Sequence, residues 1–159
     1  GYFPLGGIGV SGEIAEVMNE SGSPWMHAYT YSSHPVGCAV ALAMLKIIET
    51  ENFVMQAETK GKRLLVKLKE ALSDHPNVGD VRGLGMMCAV EYVQDRGTRE
   101  PFDAKENIGA RIHGETVERG MFSRTRGDVY LIAPPIVTEE STIDEIAEIL
   151  AASTQAILG

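Results

Sequence analysis

Hydroxyl groups crowd one short stretch of this sequence. Tyr29, Thr30, Tyr31, Ser32 and Ser33 stand in a row, and His34 and Pro35 follow them. Neutral hydroxyls ahead of a helix can hold an anion, because the first-turn N–H groups are free and the helix dipole points the same way. Pro35 suits a first helical turn, where its missing N–H costs nothing, and Ser33 or His34 can cap the groups that remain. The same residues also satisfy a plain cap before a core helix, and by themselves they favour that reading, since capped helices far outnumber phosphate sites. Arg124 is the second candidate. It falls at the end of an expected strand before a tight turn, beside Thr125 and Arg126. A guanidinium there can grip a carboxylate with two parallel hydrogen bonds, although taken by itself the residue reads as an exposed turn arginine.

Other reactive residues carry less. Gly7, Gly9 and Gly12 fit the spacing G-x-G-x-x-G. A dinucleotide site needs a long helix after that motif and an acid at the end of the next strand; here the helix is short and the later stretch is Pro24-Trp25-Met26-His27. The lysines at 46, 60, 62, 67, 69 and 105 all fall in helical patterns and read as a solvated face. Cys38 and Cys88 lie far apart inside apolar runs, which fits a reduced, cytoplasmic protein better than a disulfide scaffold. The four histidines show no metal-binding spacing, so no metal is expected. The formal net charge of −8 argues against a nucleic-acid partner, and no apolar run reaches the length of a membrane span. The opening GYFPLGGIGV has no initiator Met and reads as the middle of a strand or turn, so a fragment of a longer chain is expected.

These residues need elements to hold them. Residues 2–10 read as a short buried strand and 13–19 as a helix. Pro35 opens an apolar helix over 35–50, and a second helix over 52–73 places Ala57, Gly61, Leu64, Leu65, Leu68 and Leu72 on one face. Strands are expected at 78–82 and 86–93, a helix at 104–119 with Ile108 and Ile112 inward, and strands at 121–124 and 129–133 around an Arg126-Gly127-Asp128 turn. Thr138 caps a last helix whose stripe runs from Ile143 through Ala147 and Leu150 to Leu158. The expected fold class for 51–159 is therefore an α+β small domain, with a largely antiparallel sheet and helices on one face. Residues 1–50 read as the tail of another domain with a long helix.

Four segments, taken in order, carry a resemblance. They are GYFPLGG at 1–7, HAYTYSSHPVGCAVAL at 27–42, VRGLGMM at 81–87 and GDVYLIAPP at 127–135. Together they resemble the C-terminal part of class III aminotransferases, the fold-type I enzymes of α/β architecture that use pyridoxal 5′-phosphate. TREPFD at 98–103 and GMFSR at 120–124 are most similar to the omega-amino acid and amine–pyruvate branch. The resemblance covers essentially the whole chain.

It implies a cofactor-binding role for Thr30, with Tyr29 beside it, at the cofactor phosphate of the other subunit in a homodimer or a tetramer built from dimers. It implies that Arg124 is the branch's mobile, carboxylate-binding arginine. The family's cofactor-bearing lysine would lie about five residues before the glycine matching Gly1, and its pyridine-nitrogen aspartate further upstream. No catalytic residue is therefore assigned in this sequence, and the chain by itself is expected to be inactive. The implied substrates are a small amino donor, an omega-amino acid or amine, and a keto acid such as pyruvate. One position departs from the family: Ser33 stands where Gly is usual, and Ser tolerates positive φ less well. A non-catalytic binding or interaction module derived from an aminotransferase is the rival expectation.

Overall fold

A computed structural model describes residues 2–23 and 27–159. Gly1, the first glycine of the opening motif, lies outside the described residues. So do Pro24, Trp25 and Met26, part of the stretch weighed against a dinucleotide site. The chain divides into two compact units, Gly1–Glu51 and Asn52–Gly159.

Among its described residues the first unit holds two helices, α1 (Gly12–Glu20) and α2 (Pro35–Thr50). Ser11 caps α1 by accepting the Ile14 N–H at 3.3 Å. The strand expected over 2–10 is absent. A strand needs a neighbour to take its N–H and C=O groups, and the described residues of this unit form none, so Tyr2 and Ile8 stay exposed. α2 starts and ends where Pro35 and Thr50 predict, but it is not the buried helix its composition suggests. Gly37 is its one buried residue, and Leu42 is 68% exposed. The Phe3 ring covers Gly37 so closely that a Cβ there would come within 2.6 Å of it.

The second unit is a four-stranded antiparallel sheet with helices packed on one face. The elements are α3 (Phe53–Leu72), β1 (Val78–Leu84), β2 (Met87–Tyr92), a 3₁₀ turn Ala104–Glu106, α4 (Ile108–Glu118), β3 (Arg124–Arg126), β4 (Val129–Ile132) and α5 (Glu140–Leu158). The strand order is β1-β2-β4-β3, with every neighbour antiparallel. Alternation along the strands sorts their residues. Val81, Val90 and Tyr130 line up across three strands and are buried against Leu64 and Leu68 of α3, Ile112 of α4, and Ile143 and Leu150 of α5. Two buried hydroxyl pairs tie sheet to helix inside this apolar layer: Tyr92 with Thr154 and Tyr130 with Thr116, both at 2.7 Å. Burial pushes both tyrosine pKa values up, so these hydroxyls stay protonated and hydrogen-bonded.

Several boundaries differ from expectation for identifiable reasons. The helix expected over 104–119 breaks at Asn107, which takes φ 49°. α4 then starts under a cap from elsewhere, because Asp128 Oδ1 accepts the Gly109 N–H at 2.9 Å. Thr138 does not cap α5; Glu139 occupies that position without a side-chain bond, and the Thr138 N–H closes a turn on Pro135. The strand expected over 121–124 begins at Arg124 instead of ending there. Lys60 is not purely solvated, since its ammonium donates to the Ile136 carbonyl at 2.8 Å.

Candidate functional site

The hydroxyl-rich loop is closed by its own hydrogen bonds. The Tyr29 N–H donates to Ser32 Oγ, and the Ser32 N–H returns to the Tyr29 carbonyl, both at 3.0 Å. Ser33 adopts φ 56°, the left-handed backbone that favours glycine. This is the position at which the sequence departs from its resemblance, and the serine takes the strained conformation. His34 then caps α2, its Nδ1 accepting the Gly37 N–H at 3.4 Å. With Pro35 lacking a donor and Gly37 already capped, the helix end offers an anion less than the sequence suggests. The exposed hydroxyls lie earlier. Thr30 is exposed and its hydroxyl has no hydrogen-bond partner among the described residues; Tyr29 is 71% exposed, its hydroxyl 3.4 Å from His27 Nε2. No carboxylate occurs between Tyr29 and Pro35. Uncharged donors without an opposing acid suit a phosphate whose charge is balanced elsewhere, so these residues fit such a group.

Arg124 belongs to the second unit, so the structure gives its surroundings there and not its relation to Thr30. It faces away from the helices. The cross-strand row on that side runs Arg82, Ala89, Leu131, Arg124, and the next row runs Asp80, Glu91, Val129, Arg126. Arg82 takes both acids of this face, with Glu91 at 2.6 Å and Asp80 at 2.9 Å, and its pKa is raised by them. Arg124 and Arg126 make no ion pair among the described residues, and both are exposed. Arg126 thus shares the face of Arg124, as strand alternation requires.

Arg124 rims a concavity of about 370 Å³ whose walls include Met87, Phe122, Ser123 and Leu131. An unpaired guanidinium at the edge of an apolar hollow can take a carboxylate while the rest of a small molecule packs beside it. The segment before Arg124 is fixed by contacts that the sequence does not announce. Ser123 Oγ donates to the Leu131 carbonyl, and the Ser123 carbonyl accepts from His113 Nε2 at 3.0 Å. The only sequence signal for His113 is a histidine on the inward flank of a helix. A larger concavity of about 490 Å³ lies between α3 and the β1–β2 turn. Its charged residues, Lys62 and Glu58, pair with each other at 2.6 Å and leave no group for chemistry. Among the described residues, no cluster of three His, Cys, Asp or Glu could hold a metal, and no helix is long and apolar enough to cross a membrane.

The profile of the family Aminotransferase class-III matches residues 1–153. The chain belongs to the class-III aminotransferase family. Among its relatives, putrescine–pyruvate aminotransferase of Pseudomonas aeruginosa is 40% identical over 92% of this chain and 32% of its own length. Diaminobutyrate–2-oxoglutarate transaminase of Halomonas elongata is 39% identical over 91% of this chain and 32% of its own. An (S)-enantioselective omega-transaminase from Thermomicrobium roseum superposes with a TM-score of 0.91 at 40% identity, over the whole of this chain and 35% of that one. The fold is that of fold-type I transaminases, a family of pyridoxal 5′-phosphate enzymes. This class-III chain spans about a third of the length of the curated relatives it matches.

Proposed function

We propose that this chain is the C-terminal portion of an aminotransferase that moves an amino group between an omega-amino acid or amine and a keto acid such as pyruvate. Gly1–Glu51 serves as the tail of the large cofactor domain, and Asn52–Gly159 as the small domain. Pyridoxal 5′-phosphate, when bound, supplies the electron sink for the chemistry, and the protein supplies binding and orientation. Tyr29 and Thr30 give hydroxyl donors to its phosphate, across the interface of a homodimer. Arg124 binds the carboxylate of an amino or keto acid.

The observation that carries this reading is the state of the arginines on the helix-free face. Arg82 consumes both carboxylates there, which leaves Arg124 charged, exposed and, among the described residues, unpaired beside an apolar hollow. An arginine so placed can bind a carboxylate, and it can also turn to water when the donor is an amine. A fully buried arginine could not do the second without leaving a charge unpaired. Family membership and the diamine and keto acid named in the Pseudomonas relative support the same substrate classes.

The test is single-turnover kinetics of each half-reaction in the complete enzyme. Arg124→Ala is expected to lower kcat/KM for amino and keto acids by about 2–4 kcal/mol, the range for removing one partner of a desolvated charge pair. Amines without a carboxylate should be nearly unaffected. Arg124→Lys should rescue poorly, since an ammonium lacks the planar fork. Equal losses with both donors would reassign Arg124 to the fold, and a larger loss at Arg126 would move the carboxylate contact there.

A further inference from the structure

We propose that His113 is the positioning residue for Arg124: from α4 it fixes the backbone from which the guanidinium projects. The inference rests on the reading of Arg124 as the carboxylate contact.

The strand ladder cannot do this by itself. β3 begins at Arg124, so the residues just before it have no strand partner. Upstream, the Gly120 and Met121 N–H groups are still tied to the end of α4, on the Val117 and Thr116 carbonyls. Between that anchor and the ladder lie Phe122 and Ser123, and His113 holds both. Its Nε2 donates to the Ser123 carbonyl at 3.0 Å, and its ring stands edge-on to Phe122, with centroids 5.6 Å apart at 74°. Ser123 Oγ grips the Leu131 carbonyl from the other side, opposite Arg124 in the register. The residue before Arg124 is therefore clamped between a helix and a strand.

The bracket itself is rigid. His113 follows Ile112, which is fully buried, and its ring lies 6.3 Å from that of Tyr130. The Tyr130 hydroxyl is fixed in turn by Thr116, one helical turn after His113. A carbonyl can only accept, so Nε2 carries the proton. His113 is thus a mechanical support. A tilt of about 10° at Ser123 displaces the tip of an extended arginine by roughly 1 Å, and errors of that size degrade a binding geometry.

The experiment uses the complete enzyme with two donors, an amino acid and a carboxylate-free amine. His113→Phe keeps a ring against Phe122 and Tyr130 but removes the donor; His113→Gln restores an N–H near the position of Nε2; His113→Asn is too short to reach. The expected result is a rise in KM of about three- to tenfold for the amino acid in the Phe and Asn variants, the worth of one net hydrogen bond. The amine should stay within about twofold of wild type, and Gln should recover most of the loss. Coupling is the second readout: adding His113→Phe to Arg124→Ala should cost nothing more, because the group being positioned is gone. Equal losses for both donors, or additive losses in the double variant, would overturn the inference and make His113 a packing residue. If His113→Phe does not fold, the contrast between Gln and Asn decides the same question. Failure of the underlying reading is distinguishable: Arg124→Ala would then show no donor selectivity. Selectivity in Arg124→Ala without any in the His113 variants would overturn the positioning role alone.

Discussion

Ser33 holds φ 56° in the loop between Thr30 and the His34 cap. A left-handed backbone costs an L-residue about 1–2 kcal/mol, and glycine relieves that at an entropic loss of roughly 0.5–1 kcal/mol. Ser33→Gly is therefore expected to be neutral or to stabilise the loop by up to about 1 kcal/mol. The Tyr29–Ser32 bonds and the His34 cap should survive, since none uses the Ser33 side chain. Thr30→Ala should act in the opposite direction. If its unpaired hydroxyl serves the cofactor phosphate, its loss weakens cofactor retention by about 1–2 kcal/mol, and Thr30→Ser restores most of it. Equilibrium dialysis of cofactor from the complete enzyme reads both variants. A Thr30→Ala protein that retains cofactor like wild type would remove Thr30 from the site, and a Ser33→Gly protein that loses it would show that the serine hydroxyl is used.

At the scale of elements, one device appears twice. α3 rests on the turn of the β1–β2 hairpin through Gly61, where a Cβ would fall 2.1 Å from the Gly85 carbonyl oxygen. α4 rests on the turn of the β3–β4 hairpin through Gly109, where a Cβ would fall 2.1 Å from the Gly127 oxygen. Backbone on the far side cannot yield as a side-chain tip can. Gly61→Ala and Gly109→Ala should each destabilise by about 1–3 kcal/mol. Gly114 lies on the same helix as Gly109 with open space around it, so Gly114→Ala should instead stabilise by up to about 1 kcal/mol. Denaturant midpoints of the three variants check the change of sign within α4. The same contrast explains what was legible in the sequence. The limits of α2 and the stripes of α3 and α5 depend on residues within a few turns of each other, and they could be read directly. The break at Asn107 depends on an aspartate cap nineteen residues on, at Asp128. The support of Arg124 by His113 depends on α4 lying against the segment that leads into β3. Tertiary partners of this kind leave no local periodicity, so Arg124 was visible as a candidate while the group that aims it was not.

At the scale of the whole molecule, the two units differ in how well they bury themselves. The second has a continuous core, with Leu64, Val90, Tyr130, Ile143 and Leu150 fully enclosed. In the first, Val36, Leu42 and Leu45 of α2 are all more than half exposed, and no residue of α1 is buried. Apolar surface on this scale is ordinarily covered by something. Under the proposed function, the rest of a complete aminotransferase covers it, since the chain spans about a third of its relatives' length. Residues 1–159 produced by themselves should then behave unequally. Amide exchange should be slow in α3, β2, β4 and α5 and fast throughout α2, and an apolar-surface dye should bind. Under the proposed function activity should be absent for a separate reason, since the resemblance places the cofactor-bearing lysine outside residues 1–159. Borohydride treatment in the presence of pyridoxal 5′-phosphate should leave no stoichiometric, single-site adduct, and no turnover should be measurable. A unique adduct with turnover would mean that one of the six helical lysines has taken that role. Slow exchange in α2 with no dye binding would mean that the first unit covers itself, and the case for a missing partner surface would fall.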